Sequence, residues 1–175
     1  MPQPKGTRAE VRTAVEAFFA NQIALGNIPT LGTVYGYPEK IMDEAEMYAN
    51  VQPGTSDGAF LFLHLMHSRD DLAAFQEKRI VYELTMTFVF RSTKDSAVDA
   101  GIDNETMLDA VVKTIRANRT CGTTDGTIFQ WGLGSKGSTT DIEVESFYPQ
   151  SLHASQAATQ IQSIIKLQVV QIIQA

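Results

Sequence analysis

Residues Val81 to Phe90 read VYELTMTFVF, and their polarity alternates with a period of two. Tyr82, Leu84, Met86, Phe88 and Phe90 fall on one side, and Glu83, Thr85 and Thr87 fall on the other. That pattern belongs to a β-strand with one face in a core. A chain built on it must make a sheet and then supply a second layer for the apolar face. The preceding stretch Ala59 to His67, AFLFLHLMH, is apolar on both sides, with Phe60, Phe62 and Met66 against Leu61, Leu63 and Leu65. It predicts a strand covered on both faces.

The second layer comes from two amphipathic segments. Thr7 followed by Glu10 reads as a capping box, and Val11, Val15, Phe18 and Phe19 then recur at helical spacing, which predicts a helix over Arg8 to Asn21. Gly26, Pro29 and Gly32 end it, and a short strand is expected over Thr33 to Pro38 before a mixed acidic loop, Tyr37 to Gly58. After a polar connection containing Gly101, a second helix is expected from Asn104 to Asn118 with Met107, Leu108, Val111, Val112 and Ile115 as its buried stripe. Asp103 and Glu105 at its start and Lys113, Arg116 and Arg119 at its end suit the helix dipole. Thr127 to Trp131 and Asp141 to Tyr148 read as two strands of a hairpin around a Gly-rich turn that carries Lys136.

The C-terminal segment has the strongest demand for cover. Ile161 to Ile173 carries seven β-branched residues, and Lys166 is the only charged side chain among the final 25 residues. A strand from Gln160 onward is expected, although Ile161, Ile164, Ile165, Val169 and Ile172 also make a helical face. Such a strand lacks the charges that protect exposed edges, so either this chain's own sheet or a neighbouring subunit must cover it. Val170 and Ile172, where both faces turn apolar, are candidate interface residues together with Lys136. The fold expected is α+β: a mixed, mostly antiparallel sheet packed against two amphipathic helices, with an extended hairpin, as one domain over residues 1–175.

Hydrophobic residues make up 43% of the chain and charged residues 19%, a balance that favours a folded body with a lean charged surface. A net charge of −6 argues against a protein that grips phosphate backbones. No stretch approaches the ~18 apolar residues of a membrane span. The start has no apolar run, and Cys121 is the one cysteine, so folding in a reducing cytoplasm is expected.

Motifs for chemistry are weak. Gly132, Gly134 and Gly137 satisfy the G-x-G-x-x-G spacing, but Ser138 to Thr140 lead into another strand where a dinucleotide site needs a helix N-terminus. His64 and His67, three apart in a strand, should point to opposite faces, and no second cysteine stands by to complete a metal set. Cys121 has no activating signature around it. Asp141, Glu143 and Glu145 alternate onto one strand face, an acidic surface that would matter in a ring. No enzymatic activity, cofactor or metal is expected. A pocket beside His64, Tyr82 and Trp131 is the alternative, as a small-ligand or enzymatic domain.

The order of helix, strands, long alternating strand, polar loop, helix and closing strands is carried by EVRTAVEAFFANQ, RIVYELTMTFVFRST, NETMLDAVVKTIRANRT and IKLQVVQIIQ. This order resembles the tail-terminator (tail-completion) proteins of long-tailed bacteriophages over nearly the whole chain. The resemblance implies a homo-oligomer, a hexameric ring in the virion neck that caps the tail-tube protein and meets the head connector or head-closure protein, assembled in the host cytoplasm. DNA would pass through the lumen without stable binding, with Asp141, Glu143 and Glu145 as a candidate lumen face. A tail-tube or head-closure subunit would share these features.

Overall fold

The computed structural model describes residues 7–28, 31–36, 58–74, 77–92, 97–124, 127–132, 142–147 and 159–174. In chain order they form α1 (Arg8–Ala24), β1 (Leu31–Tyr35), β2 (Gly58–Ala74), β3 (Glu77–Ser92), α2 (Ala97–Ala117), β4 (Thr120–Thr124), β5 (Thr127–Trp131), β6 (Glu143–Phe147) and β7 (Thr159–Gln174). The strands make one seven-stranded sheet in the order β1-β2-β3-β7-β5-β4, with β6 also on β7. All pairings are antiparallel except β1 with β2, so the architecture is α+β with a mixed sheet.

The alternating segment lies at the centre. β3 pairs with β2 on one side and, along its whole length, with β7 on the other. The C-terminal segment is therefore a strand, and this chain's own sheet covers both of its edges. Its apolar alternation continues that of β3 row by row: Phe90 beside Ile161, Met86 beside Ile165, Leu84 beside Leu167, Tyr82 beside Val169. These side chains meet Val11, Val15, Phe18 and Phe19 of α1 and Met107, Leu108, Val111 and Ile115 of α2 in a single buried cluster. The two helices supply the second layer that the alternation requires.

α1 begins as expected. The Thr7 hydroxyl accepts from the Glu10 N–H at 3.3 Å, and the Glu10 carboxylate accepts from the Thr7 N–H at 3.0 Å. It runs one turn past Asn21 and closes on Gly26 at φ +73°, with the Asn27 N–H on the Gln22 carbonyl and the Gly26 N–H on the Ile23 carbonyl. This is a Schellman end, and the left-handed residue in it is the one that glycine tolerates best.

α2 begins at Ala97, seven residues before the expected start, and takes in Gly101. Asp103 and Asn104 resemble a helix start in sequence, yet Asn104 lies inside the buried stripe that runs Ala100, Asn104, Met107, Leu108, Val111 and Ile115. Asn104 is 0% exposed, and neither side-chain amide atom has a hydrogen-bond partner. The structure offers no compensation for that cost.

The long hairpin of the fold is β2–β3, continuous from Gly58 opposite Arg91 to Ala74 opposite Glu77. It extends β2 seven residues beyond His67, through Ser68, Arg69, Asp70 and Asp71. β5 and β6 do not pair with each other as expected. β3 occupies one edge of β7, and both short strands run antiparallel to β7 along the other edge. β5 lies opposite Ile173 to Val169 and β6 opposite Lys166 to Gln162.

They are two halves of one strand. Only Leu167 and Gln168 separate the two ladders on β7. Gly132 takes the position opposite Gln168, donating its N–H to the Gln168 carbonyl at 2.7 Å, and a Cβ there would meet the Gln168 Cβ at 2.6 Å. Ile142 then fills the next inward position, buried in the core. Gly132 and Ile142 thus occupy consecutive positions of the ladder; residues 133–141, Lys136 and Asp141 among them, lie outside the described residues. A Gly-rich stretch between two strand patterns reads the same whether the chain turns back or resumes its course.

One buried polar chain ties α1 to this sheet. The Tyr82 hydroxyl donates to Gln171 Oε1 at 2.9 Å, and Gln171 Nε2 donates to Glu10 Oε2 at 3.1 Å. Both Tyr82 and Gln171 are buried. The carboxylate that caps the helix thus also receives an amide from the C-terminal strand, so the helix start and the sheet are fixed together.

Two outcomes are expected. Deleting residues 133–141, so that Gly132 joins Ile142, should keep the far-ultraviolet circular dichroism and hold unfolding stability within about 1 kcal/mol by denaturant titration; loss of cooperative folding would show that the halves are not one ladder. Tyr82→Phe should cost about 1 to 2 kcal/mol in the same titration, because it leaves the buried Gln171 oxygen without its donor.

Candidate functional site

Alternation in register divides the sheet into two unlike faces. Both helices pack on the face of Leu61, Leu63, Leu65, Leu84, Met86, Phe88, Ile165 and Val169. The other face receives neither helix. Its rows read Thr87, Ile164, Glu145; then Thr85, Lys166, Glu143; then Glu83 beside Gln168. Glu83, Glu143, Glu145 and Lys166 are exposed, while Thr85, Thr87, Ile164 and Gln168 are half-buried.

The acids expected on one strand face are brought together in part. Glu143 and Glu145 share the open face, and Glu83 of β3 joins them, a residue that the strand-by-strand pattern of β6 could not reveal because it comes from elsewhere in the chain. Asp141 lies outside the described residues. Lys166 sits directly across from Glu143, so the acidic strip is interrupted by one cation at its middle. The pair is exposed and contributes little stability, but Lys166 cancels the charge of that row.

Of the candidate interface residues, Val170 is 5% exposed and lies in register between Val81 and Gln130. Ile172 is half-buried between Arg79 and Ile128. Both belong to a strand whose edges are filled, so any contact they make with a neighbour is through the open face. Lys136 lies outside the described residues.

The residues of the alternative pocket do not converge. Tyr82 and Trp131 flank Val169 in one row on the helix-covered face, buried. Trp131 packs edge-on against Phe18 at 5.2 Å between ring centres, with its indole N–H unpartnered. His64 lies opposite Thr85, on the other face. The two histidines also depart from expectation. A bulge between Leu65 and His67 absorbs one step, so His67 falls opposite Glu83 while His64 falls opposite Thr85, positions on the same face. Among the described residues no three potential ligands cluster for a metal. Cys121 is buried, and burial pushes its thiol up to about 12, so it is held as the neutral thiol. No helix in the described residues is long and apolar enough to cross a membrane.

His64 titrates below its ordinary value of 6.5, first because burial disfavours the imidazolium and second because the Arg12 guanidinium repels it. The unfolded chain therefore binds this proton at a higher pH than the folded one, and stability should fall as pH drops from 6.5 toward the lower folded value. Urea midpoints compared at about pH 7.5 and 5.5 should show a smaller acid loss in His64→Gln than in the parent; equal losses would remove His64 as a source.

No family model matches the chain, and no curated protein is similar enough to stand as its relative.

Proposed function

We propose that this protein is a structural subunit of the neck of a long-tailed bacteriophage, forming a ring, expected to be a hexamer, that caps the finished tail tube and meets the head connector or head-closure protein. The observation that carries this reading is the one-sidedness of the sheet. Both helices lie on one face, and the other carries exposed Glu83, Glu143, Glu145 and Lys166. In a ring of such subunits with this face inward, the rows of Glu83, Glu143 and Glu145, with Lys166 among them, would form an acidic stretch of the lumen wall, and Arg79 would stand beyond it. Phosphates are repelled by such a wall, so DNA slides along it without adhering. The whole-chain order of elements, which resembles the terminator family, supports the same reading. Subunits of this kind act by assembly and need no reacting groups.

Native mass measurement, alone and with added tail tubes, should give a closed ring of subunits; a monomer that never joins tubes overturns the reading. Long stacked tubes formed by the subunit alone would transfer it to a tube protein. In assembled virions, the combined change Asp141→Asn, Glu143→Gln and Glu145→Gln should slow DNA ejection, and an unchanged ejection rate would remove the lumen role.

A further inference from the structure

The start of α2 sets several local preferences against the helix within a short stretch. Asn104 sits in the buried stripe, 0% exposed, with neither amide atom hydrogen-bonded among the described residues. Val98 and Ile102, one helical turn apart, stand in solvent at 71% and 55% exposure. Gly101 lies between them inside the helix, where glycine is a poor former. At the joint the Thr106 hydroxyl donates to the Ile102 carbonyl at 2.8 Å, a back-bond that competes with the helical ladder. Of residues 98–103 only Ala100 is buried, so the apolar seat of this stretch is a single methyl group.

One rearrangement relieves all of these together. We infer that α2 has two starting points: the long helix from Ala97, and a shorter one in which Asn104 is the N-cap and residues 97–103 unwind as a strap. Asn is among the best N-cap residues, because its side-chain oxygen accepts from the N–H two or three places on, here Thr106 or Met107. The cap gives the Asn104 oxygen the partner it lacks in the interior. Glu105 then stands in the first turn, where the helix dipole favours an acid. Gly101 leaves the helix, and Val98 and Ile102 travel with the strap.

Against the short start stand the helical bonds from the N–H groups of residues 101–107 to the carbonyls of 97–103, and the seat of Ala100. Those bonds are exchanged for bonds to water, so each contributes little net. Met107, Leu108, Val111 and Ile115 keep their places in the core in both forms, which confines the change to the strap. A contact that grips the strap shifts the balance only by as much as it prefers the unwound form. The device belongs to the single chain and does not depend on the ring reading.

Residue-by-residue hydrogen exchange of the whole protein tests it. Amides 101–105 should open as one unit and exchange roughly tenfold or more faster than 108–115, with a step between the two groups, because a cap ends protection at one residue. Asn104→Leu places no polar group in the interior and cannot cap; it should slow 101–105 roughly tenfold or more and flatten the step into a gradient. Asn104→Asp caps as well as Asn and is harder to bury as a charge; it should bring 101–105 close to the unprotected rate while 108–115 stay protected.

A smooth gradient in the parent is ordinary fraying and overturns the two starts. Equal exchange of 101–105 in the parent and in Asn104→Leu overturns them as well, and so does a folded Asn104→Asp protein that keeps these amides as slow as the parent's. Loss of protection at 108–115 in Asn104→Asp reports misfolding, and the parent and Asn104→Leu profiles then decide.

Discussion

The ladder between β3 and β7 is the constraint on which the rest of the molecule depends. It joins residues 77–92 to residues 159–174 without a break, and each strand presents its apolar alternation to the same helix layer. β2 needs β3 for its inner edge, and β5 and β6 hang on the outer edge of β7. Because the ladder links distant parts of the sequence, the chain closes a long loop before this pairing contributes, which places sheet completion late in folding. The Tyr82, Gln171 and Glu10 chain spans the same ladder and carries its register into the start of α1.

Patterns set by one local period were legible in the sequence. The alternation of Tyr82 to Phe90 marked a half-covered strand, Thr7 and Glu10 marked the start of α1, and the β-branched tail marked a strand in need of cover. What escaped depends on partners distant in sequence. β2 runs on through Arg69 to Asp71 because β3 offers a full-length ladder, which outweighs the poor strand propensity of that run. The bulge at Met66 reverses the sidedness inferred for His67, and no composition signal marks a bulge that has no glycine.

A buried polar group shows the same limit from another side. Asn104 read as a helix start because Asn is a good cap and an unfavourable interior residue; in α2 it is an interior residue all the same. Of the candidate site, Glu143 and Glu145 were legible as a facing pair. The contribution of Glu83 and the opposing Lys166 was not, since it depends on the registers of β3 and β6 against β7.

The interrupted strand formed by β5 and β6 has a consequence for how chains of this fold can differ in length. Its halves are pinned to β7 independently on either side of Gln168 and Leu167, so material entering between Gly132 and Ile142 leaves the sheet's register untouched. Each doubling of such a segment costs only about 0.6 kcal/mol in closure entropy. Length can drift there across related chains, and a reporter peptide can be spliced there, while an insertion of one residue within the β3–β7 ladder would turn every inward side chain outward.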